Sequence, residues 1–509
     1  MYLGAVSLPS LQGLRSVPVR RVLHVGLVLV TLCLGYFLRS QPGQQQRPGQ
    51  QQQPGQPQQP GWIICGPDGY NYLSAASELV THHRYAMRPP PQLPQPATPP
   101  LSSCRQPGYP LLLALSARGP SYQYEELFAH VAPVQRVLDL LTCLLCFLLG
   151  RGIGGLRTGW LALLFAVGNP WLIVFASSAL TESLATFLCM LTLFLVHRAA
   201  SDKTSHKHSL IALCGAGVAV GLSALTRADG VLLLPCLAIP VLLRSEPLRT
   251  RLQSLGLSVL CAVVIFLPWP LRNLVQLGTP HAFSSLCDTH GRAVPYAGYG
   301  HWVRTWLTQE SQLAPYYCLL TPECRPSIQQ YPKEAFASAA EQQEVAALLL
   351  LRDTPSGATA IDQGFRKLAL RRIKARPLHN LLTLPLVRAY QLYVYRSDWP
   401  LRTLLTRIAA PLRTLWRPGM SAILSGGLAL LAGIGLLLLL LRPQSNEQRR
   451  FAKLSLLTIG LRTSVLALAG YVENRYLVEL HPLLAILSAL AITRVLALRR
   501  APDRTATTP

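Results

Sequence analysis

Apolar residues along this chain gather in runs of roughly 14 to 23 positions separated by polar turns, a pattern that predicts helices crossing a bilayer. The runs lie at Val22–Leu38 and near 131–150, 158–178, 180–196, 209–226, 230–243, 252–271, 419–441, 452–470 and 477–498. The fold class read from them is an all-α polytopic membrane protein with about ten transmembrane helices. Arg15, Arg20 and Arg21 precede the first run and no small-residue cleavage site comes after it, so it reads as a retained helix with its N-terminus in the cytoplasm.

Basic clusters then set the topology. Arg151/Arg157, His197/Arg198/Lys203/Lys207 and Arg244/Arg249/Arg251 occupy every second connection, which places those connections in the cytoplasm. The stretch 381–396 decides the parity of the later spans. Keeping all of 272–418 outside puts Arg442/Arg449/Arg450 and Arg499/Arg500 in the cytoplasm, the arrangement the charges prefer. The expected organisation is a cytoplasmic tail at 1–21, a membrane domain at 22–271, an extracytoplasmic segment at 272–418, membrane helices at 419–498 and a second cytoplasmic tail at 499–509. Within 272–418, helices are expected near 332–352, 360–376 and 381–396.

The first outer loop, 39–130, has its own pattern. The Gln/Pro/Gly tract 41–60 and the proline-rich stretch 88–100 cannot bury a core and read as spacers. Between them, Tyr72, Ala76, Leu79 and Val80 form an apolar stripe beside Ser74, Ser77 and Glu78, which predicts a short amphipathic helix on the outer bilayer surface with Asp68 near its start.

Half of the 509 residues are hydrophobic, which excludes a single soluble domain. The formal charge of +25 does not point to nucleic acid, because no basic run is interleaved with aromatics; the expected partner of that charge is membrane lipid. Of twelve cysteines, Cys65, Cys104, Cys287, Cys318 and Cys324 fall in segments placed outside, where disulfides persist, and Cys318 with Cys324 is the most plausible local pair. The histidines show no metal-ligand spacing. Trp302 and Trp306 suggest an interfacial belt or an acceptor-binding surface, the belt being the safer expectation.

With that topology, the ionisable residues at helix ends share one side of the membrane: Asp68, Glu182, Arg227, Asp229, Arg272, Glu473 and Arg475. Charges at such depth require an aqueous or protein-lined recess. The motifs Pro67-Asp68, Arg105-Gln106-Pro107-Gly108-Tyr109-Pro110, Asn169-Pro170, Thr181-Glu182-Ser183, Leu225-Thr226-Arg227, Pro268-Trp269 with Arg272-Asn273, and Glu473-Asn474-Arg475-Tyr476 succeed one another in an order that resembles the GT-C superfamily. More narrowly, the chain looks like bacterial polyprenyl- or dolichyl-phosphate-sugar transferases related to protein O-mannosyltransferases and the aminoarabinose transferase of lipid A. The resemblance implies an extracytoplasmic active site in a cell membrane, a lipid-phosphate-linked sugar donor, and inverting transfer of a hexosyl or pentosyl group to a protein, lipid or glycan acceptor. Family members often carry an acidic pair in the first loop; here Gly69 comes directly after Asp68, which leaves a divalent metal open.

Sugar transfer from a polyprenyl phosphate needs a base for the acceptor proton and cations for the departing phosphate. Asp68 is the candidate base, against the plainer reading of a helix-starting Asp. Glu182 is open to binding the sugar, a metal or the acceptor, or to stabilising a helix N-terminus. Arg227, Arg272 and Arg475 are candidates for the donor phosphate, each weighed against a snorkelling helix-end residue. Asp229 is expected to hold Arg227; Glu473 and Tyr476 are expected to line the pocket, or Glu473 simply to pair with Arg475. A transporter or lipid flippase is the competing class, disfavoured by the lack of visible inverted repeats.

Overall fold

The computed structural model describes residues 17–40, 66–89, 96–117, 124–284, 296–320, 327–354, 357–394 and 419–499, with the isolated positions 287, 294, 324, 325, 401 and 404. The 41–60 tract, Cys65 and nearly all of 395–418 lie outside the described residues. Among the described residues no β-strand forms, and Ala86 makes an isolated bridge with Leu101.

The helices track the apolar runs. In order they are α1 (Val17–Ser40), α2 (Gly66–His82), α3 (Gly108–Ser116), α4 (Tyr124–Val167), α5 (Pro170–Phe175), α6 (Glu182–Ala200), α7 (His206–Thr226), a 3₁₀ helix at Ala228–Ala238, α8 (Ile239–Leu243), α9 (Leu248–Phe266) and α10 (Pro268–Leu277). The polar segment carries α11 (Ala297–Val303), α12 (Ala314–Leu320), α13 (Ala339–Leu350), α14 (Gly357–Ala375) and α15 (Leu384–Tyr393). Helices at Met420–Leu441, Asn446–Ala469 and His481–Arg499 complete the bundle, the last led in by a 3₁₀ turn at Asn474–Leu480.

Eight of the described helical stretches are long and apolar enough to cross a membrane, and Ala228–Leu243 is a shorter apolar one. One of the eight, within α4, is a hairpin. Gly155 turns the chain at φ 82°, a conformation that side chains with a Cβ resist, and Phe147 then meets Trp160 edge-on at 5.4 Å. Two runs differ in detail from expectation. The 158–178 run breaks at Asn169, whose side chain accepts from the Trp171 and Leu172 amides to start α5 with Pro170 at its first position. The 230–243 run begins as a 3₁₀ helix that contains Pro235.

The membrane-length helices pack around an apolar core that includes Trp171, Leu193, Val220, Phe451, Ile486 and Leu487. A buried ion pair fastens α1 to it. The Arg39 guanidinium binds the Asp139 carboxylate and donates to the carbonyls of Gly35 at 3.1 Å and Val167 at 3.2 Å.

The two ends of the bundle differ. At one end Gln448 donates to the Ile153 carbonyl at 3.0 Å, Ser201 to Glu447 at 2.7 Å, and Arg494 to the Arg442 carbonyl at 2.7 Å, so the connections carrying the basic clusters meet there. At the other end Asp68, Arg105, Glu182, Arg227 and Arg475 come together.

Two sequence expectations about this second end are corrected. The helix at α2 does not lie on a lipid surface with one stripe free. Leu73 and Ala76 pack with Tyr109 and Phe128, while Ser74 and Glu78 are also buried, Glu78 pairing with Arg84 at 3.0 Å and Arg88 at 2.8 Å. Protein partners thus cover part of both stripes, while Ser77, Leu79 and Val80 stay half-buried. Trp302 and Trp306 form neither a belt nor an exposed surface: they are buried at 0% and 4% exposure in an aromatic core with Tyr299, Tyr331 and Phe365, and Trp302 donates to Glu341 at 3.1 Å. The 381–396 stretch belongs to a helical run over 377–393, in which a π turn at His379–Thr383 leads into α15, and it is not among the eight stretches long and apolar enough to cross a membrane. It lies against the Asn446–Ala469 helix through Tyr393 and Thr463, whose hydroxyls are 2.7 Å apart.

Removing one partner of a buried ion pair leaves the other charged and desolvated, at a cost of roughly 3–5 kcal/mol. Arg39→Leu is therefore expected to lower the apparent thermal midpoint in detergent by several degrees, and Arg39→Leu/Asp139→Leu to recover much of that loss. Equal midpoints for the single variant and the wild type would remove the fastening role.

Candidate active site

Asp68 sits in the first turn of α2, where the helix dipole favours a carboxylate. Two arginines from distant parts of the chain reach it. Arg475 donates to Oδ2 at 2.8 Å and Arg105 to Oδ1. The Asp68 side chain keeps 24% exposure, so the pair is open to a ligand. Burial alone would raise the Asp68 carboxyl, but Arg105 and Arg475 outweigh it and bring the pKa down to about 2.

Arg105 is held from several sides. Its carbonyl accepts from the Tyr85 hydroxyl at 3.0 Å, its guanidinium lies over the Tyr72 ring at 5.7 Å, and Gln106 donates to the Ala282 carbonyl at 3.3 Å. Cys104, its other neighbour, forms a disulfide with Cys287, and Cys318 pairs with Cys324 as the spacing suggested.

A second network lies deeper. Arg227 occupies an extended turn between α7 and the adjoining 3₁₀ helix. Its guanidinium meets Thr181 at 3.1 Å, Glu182 at 3.4 Å, Asp229 at 3.2 Å and Glu479 at 3.1 Å. From the Asn446–Ala469 helix, Arg462 binds Asp229 and Glu479, each at 2.8 Å. The two networks join at Tyr476, whose ring centre is 5.1 Å from Arg227 and 5.3 Å from Arg475. Glu473 pairs with Arg475 at 2.6 Å.

The arrangement nearly balances itself: carboxylates at Asp68, Glu182, Asp229, Glu473 and Glu479 face guanidinium groups at Arg105, Arg227, Arg462 and Arg475. Such pairing is what permits ionised groups to be buried at all. Among the described residues, Oε2 of Glu182 and of Glu479 are buried without a hydrogen-bond partner. The described residues hold no cluster of three or more metal-ligating side chains, and arginines already occupy the carboxylates a divalent ion would need.

Of the residues singled out from sequence, Asp68, Glu182, Arg227, Asp229, Glu473, Arg475 and Tyr476 converge. Arg272 does not. Its guanidinium donates to the carbonyls of Ser102 at 2.9 Å and Tyr85 at 2.8 Å and stacks against Trp269 and Tyr85, strapping the first loop to α10. Sequence reasoning missed Arg105, Arg462 and Glu479. Arg462 carried a usable signal, since it interrupts the apolar 452–470 run, where an ionisable residue marks function by default.

Fold and site together define a polytopic membrane protein with a carboxylate–arginine recess at one end of its bundle. Residues 125–270 match the family model described as dolichyl-phosphate-mannose-protein mannosyltransferase. The matched stretch includes Glu182, Arg227 and Asp229 and leaves out Asp68, Arg105 and Arg475.

No curated protein sequence matches the chain. Among solved structures it is similar to the archaeal oligosaccharyltransferase AglB from Archaeoglobus fulgidus in complex with an inhibitory peptide and a dolichol-phosphate, at 13% identity over 97% of this chain and 53% of that one, with a TM-score of 0.49. It is also similar to ArnT from Cupriavidus metallidurans bound to undecaprenyl phosphate, at 15% identity over 94% of this chain and 79% of that one, with a TM-score of 0.38. The chain spans about half the length of the archaeal protein, 53%.

If Arg272 is a strap and Arg475 a ligand-facing group, their alanine variants differ in kind. Arg272→Ala is expected to lower the thermal midpoint with little change in affinity for a short-chain polyprenyl phosphate, whereas Arg475→Ala loses roughly tenfold or more in affinity, the scale of one charge-assisted hydrogen bond. The reverse ranking in a binding titration would return Arg272 to the recess.

Proposed function

We propose that this protein is a membrane glycosyltransferase that moves a sugar from a polyprenyl-phosphate donor to an acceptor on the extracytoplasmic face, with inversion at the sugar carbon. The observation that carries the reading is the meeting of Asp68 with Arg105 and Arg475, beside the Glu182–Arg227–Asp229 network, at the end of the bundle opposite the basic clusters. Basic connections favour the cytoplasm, so that end is assigned to the outer side. The family description of the 125–270 match supports a dolichyl- or polyprenyl-phosphate donor.

In this reading the acceptor hydroxyl gives its proton to an Asp68 oxygen as its own oxygen bonds to the anomeric carbon from the face opposite the phosphate. The bond from that carbon to the phosphate oxygen breaks, its electron pair stays on the phosphate, and a lipid monophosphate leaves. Arg475 and Arg105 are the groups in reach of the departing charge, with Arg227 behind them. The free Oε2 of Glu182 is assigned to a donor-sugar hydroxyl.

A carboxylate at pKa about 2 is a weak base. Binding of the donor phosphate corrects this, because the phosphate competes with Asp68 for Arg475 and Arg105. The carboxylate that loses its cations gains basicity as the substrate arrives.

Incubating purified protein with polyprenyl-phosphate sugars and monitoring free lipid phosphate tests the reading. Wild type is expected to release it and Asp68→Asn to fall by roughly 10²-fold or more, the scale of general-base catalysis; a transporter or flippase releases none. Wild-type turnover in Asp68→Asn would reject the assignment.

The pH profile offers a second check. A depressed carboxyl stays ionised until pH falls to its own pKa, and kcat/KM reports the free enzyme. No loss traceable to Asp68 is therefore expected from neutral pH down to about 4, the limb lying near the pKa of about 2. A carboxylate limb near pH 5 or above would contradict the double pairing.

A further inference from the structure

The turn that carries Glu473 and Arg475 is gripped by the polar segment as well as by the bundle. Gly470 ends the Asn446–Ala469 helix at φ 79°, with the Arg304 side chain 2.7 Å from where a Cβ would stand. Val472 is 2% exposed and inserts into the aromatic core of Tyr299, Trp302 and Trp306. Arg388, from α15, donates to the carbonyls of Ala467 at 3.1 Å and Leu307 at 2.8 Å, bridging the helix end to the α11 region. Asn474 donates to the Gln391 and Leu392 carbonyls at 2.7 and 2.9 Å.

One contact of this grip reaches the charged groups directly. The Tyr317 hydroxyl, on α12 beside the Cys318–Cys324 disulfide, donates to Oε1 of Glu473. A phenol is protonated at neutral pH and the adjacent Glu473 carboxylate favours that state, so it acts as donor. Oε2 of Glu473 lies 2.6 Å from Arg475 Nε, a charge contact that is not aligned as a hydrogen bond, and Arg475 Nη2 donates to Asp68 at 2.8 Å. The order is Tyr317, Glu473, Arg475, Asp68.

Building on the transferase reading, we propose that Tyr317 is a positioning residue of this site: by occupying one oxygen of Glu473 it leaves the Arg475 guanidinium shared between Glu473 and Asp68. Without that hydroxyl, both Glu473 oxygens turn to Arg475, since two parallel N–H···O bonds are the favoured geometry of a guanidinium–carboxylate pair. The guanidinium is then drawn away from Asp68, which keeps Arg105 alone. The polar segment thus sets the electrostatics of the Asp68 carboxylate through Glu473 and Arg475.

The test uses full-length Tyr317→Phe, Glu473→Gln and the double variant, with thermal midpoints measured for each. Tyr317 is 47% exposed, so Phe preserves its packing. In Tyr317→Phe, kcat is expected to fall several-fold because an Arg475 drawn toward Glu473 meets the departing phosphate less well, and the acid limb of kcat/KM to move up into the measurable range, because a carboxylate with fewer cations protonates at higher pH. In Tyr317→Phe/Glu473→Gln the limb should return below about pH 4, since no carboxylate remains to draw Arg475 away. Tyr316→Phe, which alters the neighbouring ring stacked on Tyr299 at 5.7 Å, should match wild type.

An unchanged kcat and pH profile in Tyr317→Phe, or a limb that stays raised in the double variant, overturns the proposal while leaving the transferase reading intact. A wild-type protein that releases no lipid phosphate overturns both.

Discussion

An ionised group withdrawn from water must be met by a counter-charge, and the far end of this bundle is built around that requirement. Asp68 and Arg475 are separated by 407 positions yet lie 2.8 Å apart, and each is also engaged by a second opposite charge, Arg105 on one side and Glu473 on the other. Below them Arg227 and Arg462 tie Glu182, Asp229 and Glu479 together from four separate elements. No single helix supplies a balanced set, so the first loop, the α6 and α7 ends and the last helical pair must all be in register before any of these charges is tolerable.

The same balance explains what the recess does when empty. Arginines that neutralise the carboxylates also keep them from acting as bases or metal ligands. In the proposed function a phosphate redistributes those partners, because it offers guanidinium groups a bidentate acceptor. In the proposed reaction the monophosphate product carries more charge than the diester donor, so the grip tightens as the bond breaks, which is the direction catalysis requires.

Much of this was legible in the sequence, and the reasons for the exceptions are physical. Runs of apolar residues near bilayer length announced the helices, and alternation of basic connections announced which ends meet. The α4 hairpin at Gly155 and the break at Asn169 left the runs recognisable. Burial by tertiary partners was what the pattern could not convey: α2 reads as amphipathic because Ser74 and Glu78 are polar, but Glu78 has Arg84 and Arg88 as partners. Trp302 and Trp306 read as interfacial for the same reason, since an aromatic core in the polar segment leaves no periodic trace. Arg272 shares the composition of a phosphate ligand and is spent on two carbonyls, while Arg105, not singled out from sequence, pairs with Asp68.

The proposed chemistry requires that position 68 and position 475 face each other across one recess that opens away from the cytosol. Paired cysteines at these two positions, in a background stripped of the free thiols and treated in sealed membranes with a short thiol cross-linker, measure it directly. A cross-link is expected only when both cysteines are present, and a membrane-impermeant thiol reagent added from outside should abolish it. Absence of the link, or protection that requires breaking the membrane open, would contradict that geometry.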